Sequence, residues 1–174
     1  MRYVLIAVGI LAALVLCVVL VGWTLPKHHR VTVGRAYVGT PAALFSLISD
    51  VRAYPSWRTG LTKVDALADE GGRLRWRETS KGNGPITYVM EEAVLNERLV
   101  ARIADTNLPF GGAWTYEIKP IGTTGVGLSI TEDGDVYNPI FRFVSRFVMG
   151  HTATIERYLD DVEKRFPAVI MPAD

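Results

Sequence analysis

The sequence predicts an α+β domain, an antiparallel sheet gripping one long C-terminal helix, preceded by a single apolar N-terminal helix. Three observations carry this prediction. Residues 72–137 are a series of apolar/polar alternating runs divided by short turns, the pattern of an antiparallel meander covered on one face. Residues 139–166 switch to spacings of three and four, as one buried helical face requires. Tyr3 to Trp23 is apolar and uncharged throughout.

A helix over 3–23 rises about 1.5 Å per residue and so crosses a hydrocarbon core of roughly 30 Å. The run is longer than the apolar region of a signal peptide, and no A-x-A-like site follows it. Leu14-Val15-Leu16 lacks the small residue expected before a lipidated cysteine at Cys17. The reading is an uncleaved single-pass membrane anchor. Arg2 flanks one end, Lys27 and Arg30 the other, so charge leaves the side of the domain open, with a slight lean to the outside. Residues 24–30 form a juxtamembrane linker and 31–168 the domain.

Apart from Arg2, 18 basic residues face 18 acidic ones. That balance argues against nucleic acid as a partner, because phosphate backbones are held by surplus Lys and Arg. The single cysteine lies in the anchor, so the domain has neither disulfide nor thiol nucleophile.

Val31–Val38 alternates as a strand. Thr40-Pro41 opens a helix as N-cap and first residue, and Ala42, Leu44, Phe45, Leu47 and Ile48 give it an apolar face. Pro55 biases Tyr54 from helical angles, so 54–59 is a turn or short helix. Strands follow at 72–80, 86–95, 98–105, 113–121 and 126–137, with a Gly/Asn turn at 81–85. The last helix starts at Asn138-Pro139 and runs to Phe166, burying Val144, Val148, His151, Ile155, Tyr158, Leu159, Val162 and Phe166. Straight, it spans roughly 42 Å. Gly150, inside it, marks a bend or a close approach.

The segment LFSLISDVRAYPSW, followed by Val64 and then the strand series and long helix, resembles the START-like superfamily called SRPBCC, in its polyketide cyclase/dehydrase and coenzyme Q-binding branches. The resemblance covers about 140 residues, nearly everything after the anchor. It implies a helix-grip fold, with a curved sheet around the C-terminal helix and an apolar cavity between them. It also implies that Trp57 lies at the cavity mouth, or else plugs one end of the core.

A pocket lined by Trp57, Trp76, Tyr88, Trp114, Tyr116, Ile130, Val144 and Val148 is apolar and large enough for a small hydrophobic ligand. The expected cargo is a lipid, a quinone, or a polycyclic or isoprenoid metabolite. The competing readings are a cyclase/dehydrase-like enzyme and a protein-interaction module whose core is filled by its own side chains. Glu78, Glu132, Asp105 and Arg35 continue inward faces of their strands. Charges in an apolar cup are costly unless paired or met by a ligand. These four therefore form a polar patch that orients a substrate, or a general acid/base site, or sit at strand ends where the face has reached water. His28 and His29 lie beside the membrane, and His151 falls on the buried stripe as a packing histidine, a ligand or a base. No Cys/His spacing suits a metal, and no nucleophile elbow or phosphate loop is present. No cofactor or catalytic residue is assigned. Arg142 and Arg146, one turn apart beside Phe143 and Phe147, suit either a bilayer headgroup region or an ordinary solvated face.

Overall fold

A computed structural model of the chain describes residues 1–81 and 84–168. The turn expected at 81–85 includes Gly82 and Asn83, which lie outside the described residues. Helix α1, Arg2–Thr24, is almost wholly exposed and is long and apolar enough to cross a membrane. Three residues later begins β1, His28–Val38, which takes in histidines the sequence reading assigned to the linker.

Helix α2, Pro41–Ser49, starts as expected: the Thr40 side chain accepts from the Ala43 amide at 3.2 Å. A 3-10 turn, Val51–Ser56, follows. Strands β2 (Leu61–Glu70), β3 (Arg73–Ser80), β4 (Ile86–Val94), β5 (Arg98–Ile103), β6 (Phe110–Ile121) and β7 (Gly125–Val136) complete one antiparallel sheet in the order β1-β7-β6-β5-β4-β3-β2. The sheet is curved and does not close. Strand β2 was not anticipated. Its pairing to β3 shifts register between Leu61 and Lys63 and again between Leu67 and Glu70, and such bulges erase the period of two that marks a strand.

The concave face carries the core. Tyr37, Ile48, Trp76, Leu99, Leu128 and Ile130 pack there against Ile155, Leu159 and Val162 of helix α4, Ala153–Glu163. The Tyr37 hydroxyl donates to the Leu159 carbonyl at 3.0 Å, so the helix is pinned as well as packed.

The C-terminal helix is not continuous. Asn138 caps α3, Pro139–Val144, by accepting from the Ile140 and Phe141 amides. A π-helical turn, Ser145–Met149, follows, and Gly150 at φ 75° ends it before α4 begins. A residue in that left-handed conformation cannot continue a right-handed helix. The gripped helix is thus about 16 Å long, and α3 lies instead against α1. There the Gly22 α-carbon meets Pro139 so closely that a β-carbon would overlap the Pro139 carbonyl.

Candidate functional site

The YPSW turn delivers Arg58 as well as Trp57 to the concave side. Arg58 Nη1 donates to Glu78 Oε1 and Oε2 at 2.9 and 3.0 Å, and Trp76 Nε1 donates to Glu78 Oε1 at 2.9 Å. Glu78 is 7 % exposed. Its inward position on β3 is thus real, and its charge is met inside the fold. The Arg58 guanidinium also lies over two phenol rings, 4.8 Å from the Tyr54 centroid and 5.0 Å from that of Tyr158, a favourable cation–π geometry.

Tyr158, on α4, is the hub of the aromatic cluster. Its ring centroid is 5.4 Å from Trp57, 5.5 Å from Tyr116 and 6.1 Å from Trp114. Trp76 stacks on Tyr88 at 5.5 Å. Register explains the assembly, since Trp76 faces Tyr88 across β3 and β4, and Ala101 faces both Met90 and Trp114 across β5. These rings fill much of the space between sheet and helix. Tyr88, Met90 and Trp114 are only half-buried, whereas Trp76, Tyr116 and Tyr158 are buried. That side is the more open one.

Burial pushes Tyr54 up to about 12, against the pull of Arg58. Burial likewise raises Tyr88, Tyr116 and Tyr158 far above an ordinary phenol. All four remain neutral near pH 7. Burial works against the charge of Arg58, but Glu78 and the surrounding tyrosines outweigh it and hold the guanidinium protonated. One buried donor, Trp57 Nε1, has no hydrogen-bond partner; the Tyr158 hydroxyl makes no well-formed bond but lies within reach of the Tyr54 hydroxyl.

The other predicted residues disperse. Arg35 does not approach Glu78, because its guanidinium is taken up at 2.7 Å by both Asp160 and Glu163 on α4. Glu132 lies opposite Trp114 in the sheet and 3.5 Å from His29 Nε2. Asp105 accepts from the Thr87 amide at 2.6 Å, a structural role. Ile130 is fully buried in the core. Val144 is half-buried on α3. Val148, expected on the buried stripe, is 72 % exposed. The π turn and Gly150 rotate it off the face that continues in Ile155 and Leu159. His151 instead stacks on His29 at 4.4 Å. Sequence reasoning missed Arg58, although an inward Glu78 needs a cation and Arg58 follows the turn tryptophan directly.

Two cavities lie away from the aromatic cluster. One, ≈ 450 Å³, sits over Arg73, Arg75 and Val89 on the other face of the sheet. The second, ≈ 360 Å³, lies where α1 ends, between Leu25–Val31, Val136, Arg142 and His151. Among the described residues no group of His, Cys, Asp and Glu is arranged to hold a metal.

Residues 28–166 match the family model described as polyketide cyclase / dehydrase and lipid transport. The chain belongs to that family. No curated protein matches the sequence. Solved structures of the same fold include a START superfamily protein from Mycobacterium smegmatis, 18 % identical at a TM-score of 0.62, covering 79 % of this chain and 96 % of that one. The Zhui aromatase/cyclase from Streptomyces sp. R1128 is 14 % identical at 0.60, covering 79 % and 95 %. Norcoclaurine synthase from Thalictrum flavum is 11 % identical at 0.63, covering 79 % and 86 %. At such identities the polyketide cyclase/dehydrase and lipid transport family shares its scaffold with this chain, and the site must be argued from its own residues.

Proposed function

We propose that the chain is a membrane-tethered binder of a small hydrophobic molecule carrying an oxygen acceptor at one end, such as a quinone, a lipid or a polycyclic or isoprenoid metabolite. The observation that carries this reading is the unpartnered buried donor Trp57 Nε1, set against the Tyr158 ring at 5.4 Å. A buried donor without an acceptor is costly, and a ligand oxygen that reaches it relieves that cost. The half-buried faces of Tyr88, Met90 and Trp114 supply an apolar wall leading to it. The Arg58–Glu78 pair holds the Trp57 turn in place beneath. Helix α1 keeps this cup beside the membrane, the reservoir of such molecules.

The test uses the full chain, taken with surrounding lipid from the producing cell into nanodiscs and analysed by native mass spectrometry. The wild type is expected to retain one hydrophobic molecule per chain, enriched over the bulk lipid. Trp57→Phe loses the donor together with part of the buried indole, so it should retain less of that molecule and melt at a somewhat lower temperature, with retention compared well below both melting points. A wild-type chain that carries only bulk lipid, and fails to bind a panel of quinones and polycyclic ketones, overturns the reading.

A further inference from the structure

The ≈ 360 Å³ cavity at the end of α1 is a second site, distinct from the aromatic cup. Its lining includes Lys27, His29, Arg30, Arg142, Arg146 and His151, and no carboxylate. The neighbouring acids lie against the β1 side of the lining. Asp133 and Asp135 lie 3.8 and 3.4 Å from His28, Asp133 lies 3.9 Å from Arg30, and Glu132 lies 3.5 Å from His29. Among the described residues, no carboxylate pairs with Lys27, Arg142 or Arg146.

Arg142 is the unusual member. It is only 7 % exposed, and its guanidinium donates to two backbone carbonyls, Leu25 at 3.0 Å and Tyr137 at 3.1 Å. Its buried Nε has no partner. A buried cation held only by carbonyl dipoles lacks its counter-charge, and a guanidinium fork is shaped for an oxyanion. The position adds a second constraint. The cavity opens where α1 emerges, and Ile140, Phe141, Phe147 and Val148 of the adjoining α3 and π turn are exposed, Phe147 by 60 %. Exposed apolar side chains beside a membrane-length helix sit at headgroup depth.

We infer that this cavity binds a phosphate-bearing anion, with Arg142 as the buried anchor and Arg146 and Lys27 as the outer contacts. A lipid headgroup and free phosphate share this chemistry. The assignment of the site stands on the cavity itself; only the lipid as source rests on the proposed membrane placement of α1.

The experiment titrates the full chain in neutral detergent with inorganic phosphate and, separately, with monomeric dihexanoyl phosphatidic acid, by calorimetry. Binding is expected to weaken about tenfold in Arg146→Gln, as the loss of one charge-assisted contact predicts. It should be unchanged in Lys119→Gln, on an exposed cation at the far end of β6. Arg142→Gln risks misfolding, since its side chain ties α3 to the linker, so Arg146→Gln with an unchanged melting temperature decides the matter. Tighter binding of the phosphatidic acid supports a lipid headgroup, and equal affinities support free phosphate as the occupant of the same site. Failure of both probes to bind, or equal losses in Arg146→Gln and Lys119→Gln, overturns the site. Retention of the hydrophobic molecule in the cup is a separate readout that Arg146→Gln leaves intact, so the two readings fail independently.

Discussion

Arg58, Glu78 and Trp57 show two kinds of interior polar group, and substitution tells them apart. Glu78→Gln leaves the Arg58 charge inside without its counter-ion, and is expected to cost about 3–5 kcal/mol, read as a drop in the urea midpoint. Arg58→Met combined with Glu78→Gln removes both charges, leaves an acceptor for Trp76 Nε1, and should lie nearer the wild type than Glu78→Gln alone does. A double variant less stable than the single one would show that the pair contributes more than mutual compensation. Trp57 differs, because its Nε1 bonds nothing in the protein, so the stability lost in Trp57→Phe reports the packing of the indole rather than a hydrogen bond. Inward polarity at Glu78 and Glu132 was legible from strand parity. Their partners, Arg58 and His29, were not, because pairing across a turn or an edge strand depends on register and bulges that a single strand's alternation does not encode.

The junction between α3 and α4 is where the elements depart most from the sequence pattern. The three-and-four spacing through Val144, Val148 and His151 reads as one helix, and only Gly150 hinted at the break. The cause is tertiary, since α3 has its own partner in α1 at Gly22 and Pro139. Gly22→Leu is expected to push α1 off α3, increasing protease access to residues 138–150, while the melting of the sheet domain stays put. The same junction holds His151, whose pKa is lowered first by burial, then by His29 and Arg146, against a smaller upward pull from Glu132. A histidine depressed in the folded state favours its neutral form. Its contribution is therefore present above the unfolded value of 6.5 and is lost as pH falls through the lower folded value. Stability should decline from pH 7 to pH 5, and the decline should be smaller in His151→Asn, measured by thermal melts at each pH. An unchanged slope would assign the loss to other groups.

At the scale of the whole molecule, the family scaffold was readable because sheet meanders and the turn after α2 write strong local signals. What stayed hidden was the way the domain meets α1, a contact between segments more than a hundred residues apart in sequence. Ile140, Phe141, Phe147 and Val148 extend the apolar surface of α1 onto the domain itself. A chain shortened to residues 27–174 should consequently still float with liposomes, and Phe147→Ser with Val148→Ser should release it. Free sedimentation of the shortened chain would mean that these side chains do not reach the bilayer.

The stretch from Thr24, where α1 ends, to His28, where β1 begins, has a consequence for traffic. Three intervening residues, fully extended, reach about 10 Å. A domain leashed so tightly has no radius in which to ferry cargo across an aqueous gap to an opposing membrane. With α1 in a bilayer, a ligand of the proposed cup would be handed over within that same sheet of lipid, to a neighbour that comes to it.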